Sequence, residues 1–204
     1  MKRSPGLFVA AALALAARPG EAALFELHAS LRAGAQTGKG IGGAQQDADF
    51  FARARGAAFG AVVGVEILWI DVYVEHDQLT DFSEITGTWT QFMVGPHFAF
   101  PLEEARAGET ARTYADLALS VGFGVGTGQQ VDPPLDNGQI SDKGVMIELR
   151  LGVEHRFNRV VGVGLAFPLG WGYMFKNDVV NDVENHYQTF HVMALGTLNF
   201  RIGL

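Results

Sequence analysis

The sequence predicts an all-β protein, a closed antiparallel up-and-down transmembrane β-barrel of eight strands. Three observations predict this class. Apolar and polar residues alternate with a period of two through most of the chain after residue 22. Beyond that point, lysine occurs only at Lys39, Lys143 and Lys176, all in predicted loops, whereas the water-facing sides of soluble strands usually carry several. The polar face is crowded with glycine, which suits a narrow enclosed interior.

Residues 1–22 predict a cleavable signal peptide. Lys2 and Arg3 precede an apolar run over residues 7–17, and the small residues Gly20 and Ala22 suit cleavage after Ala22. The apolar run is about half of what spans a bilayer as a helix. Residues 23–204 are then long enough for one domain, which we expect to be the barrel.

The alternation divides the rest of the chain into eight strands. Odd positions are apolar from Phe25 to Ala33, and even positions are mostly apolar from Phe190 to Leu204. The break near Ile67 contains no Gly, Pro, Asn or Asp, so the second and third strands are also compatible with one long bent element. The predicted strands cover residues 23–35, 55–66, 69–78, 88–100, 113–126, 144–156, 158–175 and 187–204.

Closure of the barrel follows from exposure to lipid, because a backbone in hydrocarbon must satisfy its polar groups internally and can have no free sheet edge. The connections alternate between long polar loops and tight turns, which places the long loops at one end of the barrel; the stretch 101–112 is the exception at the other end. Four aromatic residues fall near predicted strand ends, where amphipathic rings favour the membrane–water boundary. They are Trp69, Trp89, Trp171 and Tyr173.

Composition excludes several classes of function. The chain has no cysteine, which removes disulfide scaffolds, thiolate metal sites and cysteine nucleophiles. A net charge of −7 argues against nucleic-acid binding, which needs an excess of Lys and Arg on some face. The motifs predict no cofactor and no metal site.

The polar face of the strands predicts a network of charged side chains in the lumen. An eight-stranded barrel is just wide enough to be filled by side chains, so we expect these residues to plug the lumen rather than line a water channel. A proton or cation path is the alternative that we consider. If the first and last strands are level, Glu26 and Arg201 should form an ion pair. The predicted lumen residues are Glu26, His28, Arg32, Asp71, Glu75, His97, Asp116, Glu148, Arg150, Glu154, His191 and Arg201.

Four phrases resemble a known group: VGPHFAFP at residues 94–101, LALSVGFGVG at 117–126, GVEHRF at 152–157 and TLNFRIGL at 197–204. The chain resembles, over residues 23–204, the small outer-membrane β-barrel proteins of Gram-negative bacteria, the OmpA, OmpX and OmpW-like group. The resemblance implies a location in the cell outer membrane, contact with outer-membrane lipid and lipopolysaccharide, and handling by the barrel-assembly machinery. It also implies that Phe200, Ile202 and Leu204 form a C-terminal assembly signal, although that group usually ends on an aromatic residue.

The resemblance leaves three functions open. The first is a non-enzymatic barrel that anchors surface loops for membrane integrity or surface contact, with its lumen plugged by polar side chains. The second is an OmpW-like passage for small hydrophobic solutes. The third is a lipid-modifying enzyme, because His28 and Ser30 lie two residues apart on one strand face. Their parity points both side chains into the lumen, away from lipid, which argues against catalysis.

Overall fold

The computed structural model describes residues 24–41, 55–81, 85–103, 112–130, 139–175, 179–180, 183–184 and 186–203. The predicted signal peptide at residues 1–22 and the terminal Leu204 lie outside these ranges. Within them, no helix is long and apolar enough to cross a membrane.

Eight long strands in these ranges form a closed antiparallel barrel, which confirms the predicted fold class. Each strand pairs with its neighbours in the chain, and β1 pairs with both β2 and β8 to close the cylinder. A short hairpin, 179–180 paired with 183–184, lies in the last connection. The strands are β1 (Phe25–Ile41), β2 (Arg55–Ile67), β3 (Ile70–Asp81), β4 (Ile85–Pro101), β5 (Thr113–Gln130), β6 (Gln139–Arg156), β7 (Val161–Phe175) and β8 (Tyr187–Gly203).

Several strands run further toward the long loops than the sequence predicts. β1 continues to Ile41, beyond the expected end at Ala35, and β6 begins at Gln139 instead of Gly144. The added residues are mostly Gly, Thr, Gln and Lys, which lack an apolar face. Backbone pairing does not require one, so the ladder continues past the apolar band that defined the predicted ends.

The apolar face of the strands points outward and the polar face points into the lumen. Leu31, Val63 and Phe92 are each more than half exposed on the outer wall. Glu75, Asp77 and Glu148 are almost fully buried inside. A soluble barrel would show the opposite arrangement, so this distribution is that of a barrel with hydrocarbon outside.

The β2–β3 connection is a two-residue hairpin turn, Leu68 and Trp69, between the paired residues Ile67 and Ile70. The strand break predicted at this place is therefore confirmed. Leu68 has a φ of 61°, a left-handed conformation that is uncommon for a bulky residue. This turn holds strain that the sequence does not signal, because it lacks the glycine that normally occupies such a position.

Replacing Leu68 by Gly is expected to raise the free energy of unfolding by about 1 kcal/mol, because Gly adopts a positive φ without steric cost. The measurement is urea unfolding of the folded protein in detergent. Leu68→Ala is the matched control, since it removes the same side chain and keeps the strained φ. Equal stability of the two variants would show that the turn is not strained.

The β6–β7 turn is longer than predicted, so β7 begins three residues later. Asn158 Oδ1 accepts hydrogen bonds from the backbone nitrogens of Val160 and Val161, both at 2.8 Å. An Asn side chain that bonds to the backbone two and three residues on stabilises a turn. Asn158 is therefore a turn residue, and β7 starts at Val161.

Glu103 links the two ends of the β4–β5 connection, which lies at the same end of the barrel. Its Oε1 accepts hydrogen bonds from the backbone nitrogens of Arg112 at 2.6 Å and Thr113 at 3.0 Å. These bonds favour the charged carboxylate, so the hydrogen bond from Arg112 in particular lowers the pKa of Glu103.

Because the pKa of Glu103 is lower in the folded state, its stabilising contribution is present above the unfolded pKa and is lost as the pH falls through the folded pKa. The variant Glu103→Gln should therefore be less stable than the wild type at neutral pH and should converge with it in acid. Urea midpoints measured across that pH range check this. A stability gap that persists unchanged in acid would contradict the role given to the carboxylate.

Candidate functional site: the barrel lumen

The lumen is divided along the barrel axis into two charged clusters and one apolar cluster. The turn-end cluster lies next to the short turns, the central cluster lies near mid-height, and the apolar cluster fills most of the loop half. The turn-end cluster comprises Glu26, His28, Glu66, Asp71, His97, Asp116, Glu154, Arg156 and Arg201. The central cluster comprises Arg32, Tyr73, Glu75, Asp77, Gln91, Glu148 and Arg150.

Two arginines organise the central cluster. The Arg32 guanidinium forms ion pairs with both Glu75 and Asp77, and all three side chains are almost fully buried. Arg150 Nη2 lies 3.1 Å from Glu75 Oε2 and 2.9 Å from Glu148 Oε1. Glu75 therefore connects the two arginines, and removing either cation would leave a buried carboxylate poorly compensated.

Neutral side chains complete this cluster. Gln91 Nε2 donates to Glu75 at 2.7 Å and to Glu148 at 3.2 Å, while Gln91 Oε1 accepts from the Trp89 indole at 3.1 Å. The Tyr73 hydroxyl donates to Glu148 at 3.3 Å, and its ring lies under the Arg150 guanidinium at 4.7 Å. The network joins residues of β1, β3, β4 and β6, so it cross-links the barrel from inside.

The turn-end cluster contains the ion pair predicted between the first and last strands. Arg201 Nη1 lies 2.7 Å from Glu26, and Arg201 Nη2 lies 2.9 Å from Glu154. Arg156 adds a longer contact of 3.4 Å to Glu154. This group joins β1 and β8 at the seam and reaches across β7 to β6.

Histidines pair with the surplus carboxylates. His97 lies between two acids, with Nδ1 2.9 Å from Glu66 and Nε2 3.3 Å from Asp116. His28 Nε2 lies 2.7 Å from Asp71. In the described ranges, no group of three or more His, Asp or Glu residues has the geometry of a metal site.

The apolar cluster contains four methionines, which are all of those after Met1. They are fully buried, with 0–1% of each residue exposed. The sequence pattern does not predict this cluster, because methionines scattered over β4, β6, β7 and β8 give no local signal. Its members are Ala58, Val62, Tyr73, Leu79, Trp89, Met93, Met146, Met174, Tyr187, Met193 and Leu195.

Glycines on neighbouring strands make room for these large side chains. A Cβ at Gly124 would meet the Trp89 ring, and a Cβ at Gly122 would lie 2.6 Å from Met93 Sδ. A Cβ at Gly170 would meet the His191 ring. The glycine rows on β5 and β7 are thus the complement of bulky residues across the lumen, which allows tight packing in a narrow barrel.

Trp89 corrects one prediction. It was expected at the membrane boundary, but it is 0% exposed and faces the lumen, because it shares the inward parity of Gln91 and Met93. The space over Gly124 and the hydrogen bond to Gln91 hold it there. Trp69 and Trp171 are 47% and 38% exposed on the outside, and Tyr173 is half-buried. Trp69 stacks on Phe98 with ring centroids 6.3 Å apart.

The structure places the twelve sequence-predicted lumen residues inside the barrel and brings eleven of them into the two charged clusters. His191 lies over Gly170, the register neighbour of Glu148, and so borders the central cluster. Three charged members were missed: Glu66, Asp77 and Arg156. Asp77 shares the odd parity of Asp71 and Glu75 on β3, so strict use of the alternation would have found it.

His28 and Ser30 do not form a catalytic pair facing lipid. His28 contacts Asp71, and the Ser30 hydroxyl donates to Asn199 Oδ1 at 2.8 Å. Both side chains line a cavity of about 90 Å³ inside the barrel, which lies between the two charged clusters. Ala118, Arg150 and Thr197 line the same cavity.

Comparison with solved structures places this fold among small outer-membrane barrels. The Neisserial surface protein A superposes with a TM-score of 0.53 at 12% identity, covering 91% of this chain and 100% of that one. The N-terminal β-barrel domain of Pseudomonas aeruginosa OprF gives 0.50 at 11% identity, covering 87% and 97%. No protein-family model matches the sequence, and no curated protein matches it significantly.

The fold therefore defines an eight-stranded barrel of the outer-membrane type, as the resemblance found in the sequence implied. At this level of identity the likeness concerns the fold.

Proposed function

We propose that this protein is a non-conducting, non-enzymatic barrel of the Gram-negative outer membrane that anchors surface loops, serving membrane integrity or cell-surface contact. One observation carries the proposal: the lumen is filled across its width by the central cluster and, on the loop side, by the apolar cluster. Glu75, Trp89, Met93 and Met174 are each 0% exposed, which leaves no continuous aqueous path at their level.

The described residues of the outer wall support a non-enzymatic role, because they do not form an acid–base pair that faces lipid. Among the strand residues whose side chains the structure describes, no Asp or Glu points outward, so a lipid-facing base there would have no carboxylate partner. His76 is the outward histidine nearest mid-height, and its Nδ1 is engaged with the Thr90 hydroxyl at 2.7 Å. Lipid A from cells that overproduce the protein should be chemically unchanged; modified lipid A would overturn this part of the proposal.

Lipopolysaccharide is the lipid partner that the loop end supports. Lys39 and Lys143 are exposed on the outer wall, near the loop ends of β1 and β6. Cations at this height suit the phosphates of the outer leaflet. During biogenesis, the barrel-assembly machinery would read the C-terminal strand, where Phe200 and Ile202 lie on the lipid face.

The sealed lumen is tested by flux. We expect proteoliposomes that contain the folded protein to release small ions and sugars no faster than empty liposomes. A porin of about sixteen strands, which encloses an aqueous channel, is the positive control in the same assay. Solute flux that depends on Glu148 and Arg150, and falls when they are replaced, would reject the sealed lumen.

Passage of small hydrophobic solutes is the second candidate, favoured by the apolar cluster in the loop half. Its side chains fill the space, so a solute would have to displace methionines, which are flexible enough to repack. In a Trp69→Phe, Trp171→Phe background, Trp89 fluorescence reports on this cluster. A small apolar quencher that reaches Trp89 in the folded barrel would favour the solute path over the sealed lumen.

A further inference from the structure

We propose that the turn half of the lumen is a blind, water-filled chamber that opens only toward the turn end. The chamber is the 90 Å³ cavity between the two charged clusters, and the apolar cluster closes it from the loops. Its ligands are water and solutes of a few heavy atoms. The inference refines the proposed sealed lumen, and rests on it, by stating how far the aqueous phase enters and from which side.

The cavity exists because small side chains meet at one height. Gly152, Ala118, Ser30 and Ala166 line its wall, while the large side chains of the lumen lie above and below it. A polar space of this size is large enough for ordered water molecules. The wall is polar enough to hold them, since it also presents Asp71 and Asn199.

Several of the side chains that line the cavity are partly exposed, whereas those on its loop side are buried. The side chains of Glu26 and Arg156 are 23% and 22% exposed, and that of Arg150 at the far end of the chamber is still 19% exposed. Beyond it, Glu75 and Met146 are 0% and 1% exposed. This pattern is what entry of water from the turn end as far as Arg150 would produce.

Cysteine accessibility tests the inference, and the natural absence of cysteine makes the background clean. Single variants Ala118→Cys and Thr197→Cys place a thiol in the chamber wall, and Met146→Cys and Met193→Cys place one in the apolar cluster. Each folded variant, checked by its mobility on unboiled gels, is treated with a small cationic methanethiosulfonate and analysed by mass. We expect the chamber thiols to react at least tenfold faster than those in the apolar cluster.

The side of entry is tested by narrowing the turn-end opening. Ala99 lies beside Asp116 in the β4–β5 register, near the turn end of the lumen. Adding Ala99→Trp should slow labelling of the Ala118→Cys and Thr197→Cys variants at least tenfold. Labelling that is unaffected by Ala99→Trp would overturn entry from the turn end.

The outcomes separate this inference from the sealed lumen. Unreactive thiols at 118 and 197, with folded protein and no flux, would reject the chamber and leave the sealed lumen standing. Fast labelling at all four positions would reject both, because water would then pass the apolar cluster. Fast labelling at 118 and 197 alone supports both.

Discussion

Replacing Arg32 by Met is expected to lower the free energy of unfolding by about 3–5 kcal/mol, because it removes the cation that two buried carboxylates share. Arg32, Glu75 and Asp77 are among the most buried side chains of the lumen, so water would replace the guanidinium poorly. Met keeps much of the length and apolar volume of Arg, which limits the contribution of lost packing. Urea unfolding in detergent, followed by tryptophan fluorescence, measures the effect.

Two controls separate charge from volume. The triple variant Arg32→Met, Glu75→Gln, Asp77→Asn removes both carboxylate charges and should recover a large part of the lost stability. Arg156→Met removes an arginine that lies 3.4 Å from Glu154 and 4.2 Å from the centre of the Tyr114 ring. Its side chain is 22% exposed and Glu154 keeps Arg201 as a partner, so the cost should be under about 1 kcal/mol. Similar losses for Arg32→Met and Arg156→Met would contradict the central role of Arg32.

Replacing Gly124 by Ala is expected to destabilise the barrel by about 1–3 kcal/mol through overpacking of the lumen. The new methyl group would overlap the six-membered ring of Trp89. Trp89 has little freedom to move, because its indole nitrogen donates to Gln91 and it is fully buried. The same urea titration measures the loss, and the emission of Trp89 should change with it.

Gly196→Ala is the matched control for this variant. Gly196 also lies within a barrel strand, but a Cβ there would meet only the Ala33 carbonyl oxygen at 3.7 Å. Its effect should be within about 0.5 kcal/mol. Combining Gly124→Ala with Trp89→Leu should cost less than the sum of the two single changes. Additive losses would mean that the methyl group and the ring do not meet.

Local pattern was sufficient for the fold and for most of the candidate site. Alternation of period two predicts which side chain points to which face, and it places Glu75, Glu148 and Arg150 inside the barrel. The same rule predicts that the Trp89 side chain points inward. Its expected position at the membrane–water boundary came from its place near a strand end. Turn chemistry was less informative, because Leu68 occupies a position that favours Gly.

The sequence predicts the contacts between lumen side chains less well than it predicts which residues face the lumen. Glu26 and Arg201 were predictable because the two chain ends lie on adjacent strands. Arg32 and Asp77 lie on strands separated by β2, and Glu148 meets Gln91 across β5. Such contacts depend on the relative stagger of several strands, which no single segment specifies.

The amino-acid sequence by itself therefore determined the barrel, its lipid-facing wall and the polar character of its interior, since side-chain direction along a strand is a local property. Only the tertiary structure decided that the lumen is split into two charged clusters, a chamber and an apolar cluster. The physical reason is that the strands tilt and shift against one another as the cylinder closes, and this stagger decides which side chains share a level.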